Sequence, residues 1–225
     1  MNNNAQNVTR ETGAYGGSDN RIREEKLLSP HKLTMIALFG VIAFLLMLWR
    51  FPLPFMPPFM DFDLAAVPEL IGTFLLGPVE GVLIIAIKVL LKTITQGTGS
   101  AFTGELINFI LSCSLVLPAW FVYKIKKDKA HARGGMVLGM LVATAVACVA
   151  NIYLIIPLYA RLFGFDMDAV IGMTREVNPY VDSVSKLVLL GIAPFNIIKN
   201  GVAVIISMLL YKRVMRALQS VMKRR

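Results

Sequence analysis

A lysine stands inside an apolar stretch, Lys199 in Pro194-Phe-Asn-Ile-Ile-Lys-Asn200. An ammonium at membrane depth is costly and belongs in a polar cavity or pathway. Asn196 lies three residues earlier, on the same helical face. An amide can both donate and accept, whereas an ammonium only donates, so the pair marks a place for something polar. A start of this helix at Pro194 would also put Lys199 near the positive end of its dipole, which favours electron-rich ligand atoms.

Further polar side chains sit in or beside other apolar runs: Asp61, Asp63, Lys88, Lys92, Glu105, Asn108 and Asn151. Glu105 and Asn108, three apart, share a helical face. Glu105 and Asp63 can accept from hydroxyls, and both Asp61 and Asp63 also suit the cap of a following helix. Lys88 and Lys92, one turn apart, read as structural, snorkelling to an interface or pairing with Glu105. Asn151 suits either a ligand or a hydrogen bond between helices.

The elements that must position these groups follow from composition. Of 225 residues 56% are hydrophobic, and the mean hydropathy is +0.65, which predicts an all-α integral membrane protein. Six spans are expected, 33–49, 64–77, 79–95, 103–123, 136–157 and 194–211, against the roughly 20 residues a bilayer asks for. Gly77-Pro78 is a turn signal, so 64–95 reads as a tight helical hairpin. The last span could begin near Ser185 and kink at Pro194; a start at Pro194, used as a first-turn residue, is preferred. Residues 1–32 read as a polar, disordered tail, 33–211 as the membrane domain and 212–225 as a basic extension near anionic lipid.

The net charge of +9 does not point to nucleic acid, because the basic residues cluster at the ends of apolar runs. Sixteen of the 23 lysines and arginines fall on one side of a six-span topology, in the tail, the loop 124–133 and the C-terminal run. By the positive-inside rule that side is cytoplasmic and holds both termini. The scattered polar groups then converge on the outer side, while the cytoplasmic half of the spans is almost purely apolar. Such an asymmetry predicts a cup open to the exterior; a symporter places its polar groups at the midplane, in broken helices or repeated halves. The aromatic and proline loop 51–59 would form its rim, with faces such as Phe59 for a flat ligand. Cys113 and Cys148 lie in apolar runs and predict neither a disulfide nor a metal site.

The combination Phe51-Pro…Pro-Phe-Met-Asp-Phe-Asp63, Pro68, Gly77-Pro-Val-Glu-Gly81, Gly104-Glu-Leu-Ile-Asn-Phe109 and Pro194-Phe-Asn-Ile-Ile-Lys199 resembles the riboflavin-binding S-components of energy-coupling factor (ECF) transporters. The resemblance covers about 33–211. It implies a six-helix bacterial plasma-membrane protein that captures riboflavin from outside as a transported ligand, with no cofactor. Its implied partners are a transmembrane coupling protein and two ABC-type ATPases, which drive release inward. It implies a flavin site at Asn151, Asn196 and Lys199, with Asp63, Glu105, Asn108, Phe59 and Leu64 around it. Family members carry two alanines four apart on helix one for docking the coupling protein. Here Val41 stands in the second place, and Ala37, Gly40 and Ala43 remain as small residues for close packing. The alternatives are an S-component for another vitamin or for flavin mononucleotide, an intramembrane enzyme using Glu105 and Lys199, or a passive membrane protein. No metal-binding His–Glu pair, nucleophile elbow or phosphate-cradling glycine loop supports the enzyme.

Overall fold

The computed structural model describes residues 29–54, 56, 60–98, 102–155, 157–158, 161 and 167–222. The expected tail up to residue 28, Phe59 and the last three residues lie outside these. The chain divides between Met35 and Ile36 into two units, and all packing described below is within the second.

Eight helices and one short hairpin occur among the described residues. α1 is Pro30–Leu48; β1 (Phe51–Pro52) pairs antiparallel with β2 (Asp61–Phe62); α2 is Ala66–Leu76 and α3 Pro78–Gln96. α4 is Thr103–Ile125 and α5 Lys129–Ala150, the latter prolonged by a π-helical turn, Asn151–Ile155. α6 is Met167–Val177 and α7 Val184–Leu187, followed by a second π-helical turn, Val188–Ile192, and by α8, Ala193–Met222.

Among the described residues, four helical segments are long and apolar enough to cross a bilayer: Pro30–Leu48, Thr103–Ile125, Lys129–Ile155 and Val184–Tyr211. Their outward side chains, among them Leu38, Leu45, Leu106, Leu141 and Leu209, are exposed and apolar, as a lipid-facing surface requires. α2 has only 11 residues, about 16 Å of helix, and is buried from Ala66 to Phe74. α3 has 19 residues but carries Glu80, Lys88 and Lys92.

Local chemistry explains the turns. Gly77 takes φ 128°, a region in which a side chain is strained, and lets α2 reverse into α3, whose first residue is Pro78. Asp128 caps α5, accepting from His131 N at 2.8 Å. Along α5, Gly135 and Gly139 lie against the backbone of α4. A Cβ on Gly135 would stand 2.4 Å from Ala119 O, and one on Gly139 2.2 Å from Leu115 O. This small-xxx-small pairing is how membrane helices reach close van der Waals contact.

One preferred boundary is overturned. The last span does not begin at Pro194: the helical run starts at Val184, where Ser183 accepts from Lys186 N, and continues without a break to Met222. Pro194 has no N–H and its ring crowds the preceding turn of an α-helix. The wide turn just before it, closed by Ala193 N–H on Val188 O five residues back, absorbs the proline inside the helix.

Candidate functional site

A cavity of about 220 Å³ lies where β2, the chain entering α2, and α3, α4, α5 and α8 converge. Its walls hold Asp61, Asp63, Lys88, Asn108, Ser112, Asn151, Asn196, Lys199 and Asn200, with Met60, Leu111, Leu115 and Phe195 as apolar surface. Five expected site residues, Asp63, Asn108, Asn151, Asn196 and Lys199, therefore meet around one space.

Lys199 Nζ is 2.6 Å from Asp63 Oδ2, donates to Asp61 O at 3.3 Å, and stands 5.9 Å over the Phe195 ring. The other oxygen of Asp63 accepts from Ala65 N at 3.0 Å, so this carboxylate both holds the entry to α2 and anchors the ammonium. Asp63 is not the cap of α2, whose N-cap position is Ala65 without a side-chain cap; its carboxylate holds the turn just before the helix and borders the cavity. Asn151 and Asn196 spend one amide hydrogen each on a backbone carbonyl four residues back, Ala147 O at 2.8 Å and Ile192 O at 2.9 Å. Both asparagines border a π-helical turn, a feature that recurs at functional sites because it re-aims side chains and frees carbonyls. Asn108 Oδ1 is buried and, among the described residues, has no hydrogen-bond partner. A buried acceptor facing a cavity without a partner is a place for a ligand donor.

The dipole argument for Lys199 lapses. The helix begins ten residues before Pro194, and the N–H of Ala193 is already bonded to Val188 O, so α8 presents no free helix end to the cavity. What gathers electron-rich atoms here is the ammonium itself.

Glu105 lies elsewhere. Its carboxylate pairs with Lys92 and accepts from Thr98 Oγ1 at 3.3 Å, while Thr98 Oγ1 accepts from Phe102 N at 2.7 Å. That set pins Phe102, whose φ of 66° is rare for a bulky residue, at the start of α4. Leu64 packs against the apolar cluster of Met56, Met60, Phe62, Val188 and Phe195 beside the cavity and does not line it. Phe59 lies outside the described residues.

Lys88, Asn200 and Ser112 are wall residues that spacing had not singled out for the site. Lys88 pairs with Glu69 at 2.5 Å, the two side chains being 2% and 0% exposed, and donates to Ser112 Oγ at 3.0 Å. It is structural, as expected, but its partner is Glu69 and it also faces the cavity. Asn196/Asn200 and Asn108/Ser112 are i, i+4 pairs, a spacing that puts both members on one face and could have found them. The remote half of the helices is less apolar than expected, since Glu80 is buried in the first turn of α3.

Ala37, Gly40 and Ala43 do not form one free face. Ala37 is exposed, but Gly40 and Ala43 are buried, and a Cβ on Gly40 would meet the Ile87 side chain of α3 at 2.6 Å. The outward stripe of α1 carries Ala37, Val41 and Leu45.

Long apolar helices around a lined, polar cavity define a membrane-embedded binding protein. Residues 31–211 match the family described as "ECF transporter, substrate-specific component". Relatives include "Riboflavin transporter RibU" of Staphylococcus aureus (strain TCH60), 30% identical over 190 residues that cover 84% of this chain and 93% of that protein. Another is "Riboflavin transporter FmnP" of Bacillus subtilis (strain 168), 31% identical over 182 residues, covering 80% and 90% respectively. A solved structure, titled "Structure and mechanism of the S component of a bacterial ECF transporter", is 32% identical with a TM-score of 0.65, covering 84% of this chain and 97% of its own. The chain belongs to the family of ECF transporter substrate-specific components, and is a transport subunit, not an enzyme.

Proposed function

We propose that this chain captures riboflavin on the outer side of a bacterial plasma membrane. A transmembrane coupling protein and two ABC-type ATPases would then drive its inward release. The carrying observation is the meeting of Asn108, Asn151, Asn196 and Lys199, from three different helices, around one cavity with a partnerless acceptor. The relatives named as riboflavin transporters support the choice of ligand.

The site chemistry fits a flavin. Isoalloxazine has apolar faces, acceptor carbonyls and ring nitrogens, and one N–H. The remaining amide hydrogens of Asn151 and Asn196 and the Lys199 ammonium supply donors, and Asn108 Oδ1 receives the N–H. Phe195, Leu111 and Leu115 supply apolar contact for the ring. About 220 Å³ is below the roughly 300 Å³ at which small-molecule pockets begin, so part of the ligand would extend beyond the mouth or displace the wall. The wall that can yield is the segment 60–65, which is held to α8 by the Lys199–Asp63 pair.

Six crossings and cytoplasmic termini belong to the same proposal. The second crossing combines the extended segment 60–65, which lines the cavity, with the short α2; non-helical backbone is tolerated at depth only where it lines a cavity or is buried in protein. Docking of the coupling protein is assigned to the Ala37/Val41 stripe of α1, with Gly40 and Ala43 supporting it from beneath. The test is direct: protein purified in detergent from riboflavin-containing medium is yellow with a flavin spectrum, and apoprotein quenches flavin fluorescence in a one-to-one titration. Colourless protein with no quenching overturns the reading.

A further inference from the structure

The helix ends remote from the cavity enclose a second concavity. Met208 and Tyr211 follow Lys199 on α8 by nine and twelve residues, about 14 and 18 Å along a helix rising 1.5 Å per residue. There a cleft of about 620 Å³ opens between the last turns of α4, the first turns of α5 and this part of α8.

Its depth is apolar. Met136 (2% exposed) and Met208 form one side. Tyr123 and Tyr211 form the other, their hydroxyls 3.0 Å apart and their rings edge-on to Phe74. One of the two hydroxyls donates to the other, and apart from this pair the floor presents carbon.

Its mouth is cationic. Lys127, Lys129 and Arg133 line it and are exposed. Among the described residues none of the three has an ion-pair or hydrogen-bond partner. The single carboxylate on the rim, Asp128, is already used: Oδ1 accepts from His131 N and meets His131 Nδ1, both at 2.8 Å, and Oδ2 stands 3.8 Å from Lys126 Nζ. Three unneutralised cations above a carbon-lined slot, at the end of membrane helices, match the two halves of one molecule: a phosphate diester outside and an acyl chain within.

We infer that this cleft is a binding site for one anionic phospholipid of the surrounding bilayer. The chain lies against Met136, Met208 and the tyrosine pair, and the phosphate is held by Arg133, whose planar fork matches phosphate oxygens, with Lys127 and Lys129 beside it. The inference rests on the membrane location of the chain and not on the proposed riboflavin site.

The full chain, purified in neutral detergent, is given phosphatidylglycerol or phosphatidylcholine of the same acyl composition. Bound lipid is counted by native mass spectrometry, and apparent Tm is read in parallel. One phosphatidylglycerol is expected to be retained, with at least a tenfold preference over phosphatidylcholine and a rise in Tm. K127Q/K129Q/R133Q abolishes the preference while keeping a monodisperse size-exclusion profile. K124Q/K126Q/R213Q, which removes equal charge outside the cleft, keeps it. Equal loss in both triples overturns the cleft in favour of diffuse electrostatics. Stabilisation by inorganic phosphate or glycerol phosphate at the same concentration overturns the lipid, and the absence of any preference overturns the site.

Discussion

At Lys199 one ammonium serves two masters, the Asp63 carboxylate and the cavity. Substituting Lys199→Ala or Asn196→Ala removes a buried partner and should weaken riboflavin binding by about 1–3 kcal/mol each. Flavin fluorescence quenching by the purified variants measures this, and unchanged affinity in both would discredit the site. The buried Glu69–Lys88 pair makes a different forecast. Glu69→Gln leaves Lys88 charged and unpaired at 2% exposure, a loss of about 3–5 kcal/mol in stability, whereas Glu69→Leu with Lys88→Met removes both charges and should recover most of it. Thermal denaturation in detergent distinguishes them, and a double variant no better than the single would refute the pairing argument. That Lys199 and Asn196 border a polar cavity was legible because a cation in an apolar run has few bland explanations. Glu105 carried two expectations, a place at the site with Asn108 and a pairing with Lys88 or Lys92; the pairing with Lys92 on α3 is what forms, and sharing a face with Asn108 could not decide between them. Lys88 was read as structural, and sequence spacing cannot show that a buried pair also forms part of a wall.

Among elements, the contact of α4 with α5 depends most on having no side chain at two places. Gly139→Leu would thrust a branched chain into Leu115 O, which a Cβ alone already approaches to 2.2 Å. The helices must separate, and the cost should reach several kcal/mol, at or beyond the usual 1–3 kcal/mol of overpacking. Loss of a monodisperse size-exclusion peak, with Gly139→Ala intermediate, checks it. At the start of α5 the Asp128 cap is half-buried, and its carboxyl is held below the usual range, first by the His131 backbone N–H and then by the His131 side chain. A carboxylate whose folded pKa is depressed stabilises the fold above its unfolded pKa and loses that contribution as pH falls through the folded value. Protection of the first-turn amides of α5 from hydrogen exchange should therefore drop on acidification below pH 4 in the wild type, and be low at neutral pH in Asp128→Ala. Helix existence was legible from apolar runs and Gly-Pro punctuation. The π-helical turns were not, because nothing in the residue pattern at 151–155 or 188–192 distinguishes them from α-helix. That is why Pro194 was taken for a helix start.

For the molecule as a whole, the charge bias is the basis of the proposed orientation, and it does not fix the number of crossings. If α2 and α3 entered and left on the same side, every other loop would keep its sidedness, so the lysine and arginine count cannot separate four crossings from six. The length of α2 sharpens the question: about 16 Å of helix is half of a hydrocarbon core near 30 Å, and in a six-crossing chain the remaining depth would come from the extended segment 60–65. The turn at Gly77-Pro78 decides it. Val79, 56% exposed beside that turn, becomes the probe as Val79→Cys in a chain whose free Cys113 and Cys148 are replaced by alanine. Tyr180→Cys, on the connection before α7, is the reporter for the outer face in the proposed topology. With six crossings, a membrane-impermeant maleimide labels Tyr180→Cys in intact cells and leaves Val79→Cys unlabelled. In inside-out vesicles the pattern inverts. Labelling of both from outside would make α2–α3 a re-entrant hairpin. The cavity would keep its walls, but the second crossing, and with it the route by which 60–65 reaches membrane depth, would have to be abandoned.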